Sequence, residues 1–181
     1  STTDGNQNSP LGIYTSPGNG WRRSACIYTQ SEIGYYGTIS ALYWDVQTAT
    51  AANIPIKIYL KTTSSSSFST TDTYTNIISG ATKVYDASNS SFSSSTGWRS
   101  ITLSTNFEYS SDNLMVITET NFGTGAGAAN KFNYYATASN THQYWASAFN
   151  ADDANASPGT LVKYRANIKI TITPYPSVTL A

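Results

Sequence analysis

The pattern that most restricts this chain is strict alternation of apolar and polar residues, with almost no helical periodicity. Near the C-terminal end Val162, Tyr164, Ala166, Ile168, Ile170 and Ile172 fall on one face, and Lys163, Arg165, Asn167, Lys169, Thr171 and Thr173 on the other. Successive side chains of a strand point to opposite faces, so this period predicts one long strand with a buried face and a wet face. Ile54, Ile56, Ile58 and Leu60 repeat it against Lys57, Tyr59 and Lys61. Pro55 has no amide to donate, which places a strand start or an edge there. Further strands are expected over 38–46, 98–104, 113–119, 131–136 and 143–148, with shorter ones at 25–29 and 82–85.

Turn chemistry divides these runs. Ser16-Pro17-Gly18-Asn19-Gly20 is a strong turn, residues 64–67 and 88–95 are serine tracts, and 123–127 and 150–159 read as loops. Residues 64–79 hold either one short helix or an irregular crossover. The sum is an all-β fold, a two-sheet antiparallel β-sandwich of about 8–10 strands. A jelly-roll-like topology is expected over an immunoglobulin one, because the chain has 181 residues and no Cys-Trp-Cys pattern. The division expected is an N-terminal arm at 1–12, the sandwich at 13–173 and a stiff exit at 174–181 containing Pro174 and Pro176.

The strand words resemble a known module. Ala25-Cys26-Ile27-Tyr28 with Ser31-Glu32-Ile33, Gly37-Thr38-Ile39-Ser40-Ala41-Leu42, and Ile56 to Thr63 with Phe68 come first. Gly97-Trp98-Arg99-Ser100-Ile101-Thr102-Leu103, Phe107-Glu108-Tyr109 and Asn113-Leu114-Met115-Val116 follow, and Tyr164-Arg165-Ala166-Asn167-Ile168 closes the series. The series is similar to a β-sandwich module of large secreted and cell-surface proteins of Bacteroidota, exported by the type IX route and adhesin-like. The resemblance covers roughly residues 12 to 173 and implies a framework, not a ligand or a catalytic residue. Asn106 stands where such modules often carry Pro, and Ser110-Ser111-Asp112 lacks their usual Gly.

Composition narrows the functional classes. Ten basic and ten acidic residues leave no formal net charge, which argues against nucleic acid and anionic lipid. One His and one Cys offer little for nucleophilic, redox or zinc chemistry, and no enzyme is expected. Cys26 reads as a small buried hydrophobe, with a reactive or interchain thiol as the other reading. No apolar run is long enough to span a bilayer, so no membrane insertion is expected. The Ser/Thr-rich, Lys-poor composition suits an extracellular or cell-surface setting.

Several candidates remain. Tyr35, Trp44, Tyr135 and Trp145 could form an aromatic platform, because each adjacent aromatic pair in a strand turns one ring outward. Leu11 and Ile13 of the arm, or Ile168, Ile170 and Ile172 of the last strand, could supply a strand to a neighbouring copy. Glu32 could accept backbone amides at a strand end, pair with Arg22 or Arg23, or touch a ligand; Asp45, Glu108 and Glu119 are its carboxylate partners on paper. Asp152 and Asp153 offer oxygen ligands in a polar loop, and calcium is the one metal they would suit; otherwise no cofactor is expected. Two functions follow as expectations. The first is a non-catalytic structural or adhesive module that binds copies of itself in surface fibres, or other cell-surface proteins. The alternative is a carbohydrate-binding module of a secreted enzyme, with a polysaccharide as partner.

Overall fold

The computed structural model describes residues 5–7, 9–12, 21–50, 53–121, 130–147 and 157–176. It is an all-β protein of two antiparallel sheets. The first sheet contains β1 (Gly5–Gln7), β3 (Gly37–Thr48), β6 (Gly97–Tyr109), β8 (Lys131–Ala136), β11 (Tyr164–Ala166) and β12 (Ile168–Pro174). The second runs in the order β10 (Thr160–Val162), β9 (His142–Ser147), β2 (Trp21–Tyr28), β7 (Asn113–Asn121), β4 (Ile54–Thr63) and β5 (Thr82–Ser90). Two short helices interrupt them, α1 (Gln30–Ile33) and α2 (Tyr74–Ile78).

Alternation becomes packing in the expected way along β4. Ile54, Ile56, Ile58 and Leu60 are fully buried in the inter-sheet core, beside Ile39, Leu42, Trp44 and Val46 of β3. Each such side chain contributes about 1.5–3 kcal/mol over its exposed state. A second, smaller core lies on the outer face of the second sheet. There Ala25, Ile27, Met115, Ile117 and Trp145 pack under Phe68, Tyr74 and Ile77. The segment 64–79 is thus a crossover carrying the short helix α2, whose N-cap Thr73 accepts from the Asn76 amide at 3.3 Å. β7 is buried along nearly its whole length because it has a core on each side.

Three departures from the alternation matter. The long strand expected over 162–173 is broken at Lys163 and Asn167 into β10, β11 and β12, which pair with β9, β8 and β3 in turn. The expected wet face fails there: Arg165 and Asn167 are buried. In β6, residues 103–106 stand opposite the single residue Ser40 of β3, a large bulge that interrupts the ladder after Leu103 has followed Ile101 into the core. The arm is also part of the domain rather than an appendage. Its β1 pairs with β8, and Leu11 is fully buried in the main core.

Asp112 takes the left-handed position of the β6–β7 turn with φ 57°. Its carbonyl accepts the Tyr109 hydroxyl at 2.7 Å, which helps hold a non-glycine residue there. Gly37 opens β3 against the end of β12, where a Cβ would fall inside the Thr173 carbonyl. Gly37→Ala should therefore destabilise the domain by about 1–3 kcal/mol through overpacking, read as a lower urea midpoint at unchanged slope.

Candidate functional site

The first sheet forks. β8 starts antiparallel to β3, with Phe132 opposite Val46, and continues antiparallel to β11, with Tyr135 opposite Arg165. Because β12 is also antiparallel to β3, β11 and β12 run in opposed senses and the chain turns at Asn167 between them. The Asn167 amide donates to the Asn133 carbonyl at 2.9 Å and ties the turn to β8. A cleft of about 200 Å³ opens at this fork, lined by Tyr28, Glu32, Ile33, Trp98, Tyr135, Asn167 and Ile168.

Behind the cleft sits Arg165, with almost none of its surface exposed. Its guanidinium lies between two rings, 4.3 Å from the Tyr28 centroid and 4.9 Å from that of Tyr135. It donates to the Ile27 carbonyl, to the Tyr135 hydroxyl and to Glu32 Oε1. A buried guanidinium is tolerated only when its donors are used, and the end of β2, helix α1 and β8 supply the acceptors.

Glu32 reaches this position through helix capping. Thr29 is the N-cap of α1, and both its amide and its hydroxyl donate to Glu32 Oε2 at 2.8 Å. Tyr135 donates to Oε1 at 3.1 Å alongside Arg165. The four acceptor sites of the carboxylate are thereby filled. Burial works against its ionisation, but the Thr29 bonds and the Arg165 charge outweigh it and hold the pKa below the usual value. A carboxylate so engaged anchors structure and does not move protons. The expected backbone amide partner is present; the expected arginine partner is Arg165 and not Arg22 or Arg23. Those two serve elsewhere, Arg22 bonding Ser9 and Arg23 bonding Glu119 at 2.8 Å. Asp45 holds Asn133, and Glu108 holds Thr38 and Tyr175.

The proposed aromatic platform divides. Trp44 is 1% exposed and Trp145 5% exposed, so neither presents a ring. Trp44 meets Phe92 edge-on in the main core, and Trp145 meets Tyr74 edge-on in the second. Alternation placed one ring of each pair outward but left open which, and in the second sheet the outer face is itself covered. Tyr135 is half-buried at the cleft, and Tyr35 is exposed on the turn after α1. Tyr35, Tyr36 and Tyr175 are the exposed large hydrophobic residues among those described, at 63%, 37% and 41%. They gather at one end of the first sheet. The Tyr36 ring packs 5.2 Å from that of Tyr109, the Tyr175 amide donates to the Tyr36 carbonyl at 3.3 Å, and the Tyr175 hydroxyl donates to Glu108 at 2.7 Å.

The proposed self-association residues are corrected as well. Leu11 is inside its own core, and Ile168, Ile170 and Ile172 turn inward against that core. The open edge of β12 carries Lys169 and Pro174 and a register shift between Thr171 and Ile172, all features that discourage a further strand. Ile13, Asp152 and Asp153 lie outside the described residues.

Sequence pattern missed Arg165, Asn167 and Trp98. The first two sat on the expected wet face, and Trp98 sat at a strand start with no partner in view. The chain's one histidine, His142, is buried and hydrogen-bonded. Its Nδ1 faces the Tyr164 carbonyl at 3.2 Å and must carry the proton, and Nε2 accepts from the Ser24 hydroxyl at 3.0 Å. Burial, with the Arg22 charge second, pushes its pKa down to about 3. Cys26 is the buried hydrophobe of the first reading, its thiol pushed up to about 11 chiefly by burial.

No helix among the described residues is long and apolar enough to cross a membrane, and no group of three or more His, Cys, Asp or Glu gathers there. Comparison with protein-family models, with curated proteins and with solved structures found no match.

Two outcomes follow from these buried groups. Arg165→Met should cost on the order of 3 kcal/mol, since it strands the Ile27 carbonyl and leaves Glu32 without its cation. Glu32→Gln should cost under about 1 kcal/mol, because that carboxylate is half-exposed; equal losses in urea titrations would refute the ranking. His142 has a folded pKa below its unfolded value near 6.5, so its contribution is complete above pH 6.5 and is lost as pH falls toward 3. Stability should drop by about 1 kcal/mol per pH unit between pH 6.5 and 5, before carboxylates titrate. His142→Gln should flatten that slope in denaturant titrations run at each pH.

Proposed function

We propose that this chain is a non-catalytic adhesive module of the extracellular or cell-surface kind, of the Bacteroidota class that its strand words resemble. The observation that carries this reading is the tyrosine end of the first sheet. Three exposed rings gather there, two of them pinned by defined contacts, on a chain with no formal net charge. Rigid amphipathic rings give contact area at low entropic cost and are the side chains that dominate protein interfaces. Zero net charge leaves little repulsion between copies. The partner is therefore another copy of this chain or a neighbouring surface protein, met through side chains.

Strand addition receives less support as the route. β1, β10 and β11 have three residues each, β5 carries Lys83, Asp86 and two register shifts, and β6 carries its bulge. Edges so short or kinked do not template a neighbour. The saturated Glu32 carboxylate favours binding over catalysis.

Light scattering over a concentration series, with negative-stain electron microscopy, tests the reading. Wild-type protein should associate or adhere to cells, and Tyr35→Ser with Tyr175→Ser should weaken this about tenfold or more at unchanged thermal stability. A monomer at every concentration that also fails to adhere to cells removes the proposal.

A further inference from the structure

We propose that the cleft at the fork of the first sheet binds one neutral sugar ring of a glycan, stacked on Trp98. This inference stands apart from the tyrosine end and uses a different part of the surface.

The cleft is amphipathic in a particular way. Trp98, Ile33 and Ile168 give it apolar lining, and Tyr135, Asn167 and Glu32 give it polar lining. A pyranose ring has the same division, with a face of C–H groups and a rim of hydroxyls that both donate and accept. Aromatic planes complement the first, and the exposed Lys169 ammonium beside the Trp98 ring complements the second, the Glu32 and Tyr135 oxygens being already bonded within the protein.

Charge points to a neutral ligand. The Glu32 charge is balanced by Arg165, and Arg165 is buried with its donors spent on protein acceptors. A phosphate or sulfate would find no free fork of donors there. Lys169 stands beside the cleft with its ammonium 4.1 Å from the Trp98 centroid. Being exposed, it can leave the ring when a ligand takes that face and can bond a hydroxyl.

Size sets the ligand at a single ring. About 200 Å³ lies below the roughly 300–1,000 Å³ of sites that enclose drug-sized molecules. Preorganisation is supplied from behind, because Arg165 holds Tyr28, Tyr135 and Glu32 in one network. Walls held in place before binding lose little entropy on contact. Two other concavities among the described residues lack this combination. The depression of about 500 Å³ near Lys61 and Phe107 has its lysine bonded to the Ser79 carbonyl, and the one of about 180 Å³ beside Lys57, Asp86 and Glu119 is walled by paired charges.

The test uses the whole chain and methyl glycosides of glucose, galactose, mannose and N-acetylglucosamine, followed by saturation-transfer NMR and tryptophan fluorescence. At least one glycoside should bind, with transfer strongest to one face of its ring. Trp98→Ala should weaken that binding about tenfold or more, and Trp98→Phe should retain part of it. The double variant Tyr35→Ala, Tyr36→Ala should leave it unchanged. If Trp98→Ala fails to fold, Trp98→Phe with indole chemical-shift mapping on the wild type decides the point. No binding by any glycoside overturns the proposal. So does binding that survives loss of the Trp98 ring, or that disappears with Tyr35 and Tyr36. Adhesion and light scattering report separately on the tyrosine end, so either reading can fail alone.

Discussion

A buried arginine between two tyrosine rings holds this fold at its least regular point. Where β8 leaves β3, the backbone would otherwise present unpaired groups and a gap. Arg165 fills that gap and bonds the Ile27 carbonyl, the Tyr135 hydroxyl and Glu32. In doing so it links the end of β2, the helix α1 and the two strands of the fork. The cost of burying a guanidinium is offset by its contacts with the Tyr28 and Tyr135 rings and by charge-assisted hydrogen bonds. Three residues of the cleft lining, Tyr28, Tyr135 and Glu32, are held by this one residue, and α1 is tied to it through Glu32.

Polar burial is organised as discrete nodes. Arg22 bonds Ser9 and stacks 4.6 Å from the Tyr144 ring centroid, which pins the N-terminal arm. Arg23, Glu119 and Lys57 stand directly opposite one another across β2, β7 and β4. His142 joins Ser24 to the Tyr164 carbonyl between β9 and β11. Among the described residues four charged side chains, Arg22, Arg23, Glu119 and Arg165, are buried, and the surface carries sparse charge among hydroxyls, amides and a few tyrosines. That division favours contact by stacking and hydrogen bonding over contact by charge.

Much of the fold was legible in the alternation. β3 and β4 bury the apolar positions that a period of two assigns to the core, those of β12 are half-buried against it, and most strand positions follow the turn chemistry. The count rose to twelve strands among the described residues because the arm paired and the last strand broke. Serine-rich 88–90 entered β5, since backbone pairing with β4 there outweighs weak local propensity. The candidate site was legible only in fragments. Glu32 and Tyr135 were singled out from sequence, and they bond each other, but nothing in their local spacing linked them. Trp44 and Trp145 were misread because alternation defines two faces without saying which is covered.

By itself, the sequence determined an all-β chain, its neutral charge, its poverty in nucleophiles and metal ligands, and a supply of aromatic contact residues. These depend on local periodicity and composition, which act within a strand or over the whole surface. The tertiary structure alone decided that a supposed wet face would be buried, that Arg165 would meet Glu32 from 133 positions away, and that Trp98 would wall a cleft beside Asn167. Those outcomes depend on which strands pair and where a sheet divides. Pairing is set by the summed burial of distant segments, a quantity that no short window of sequence contains.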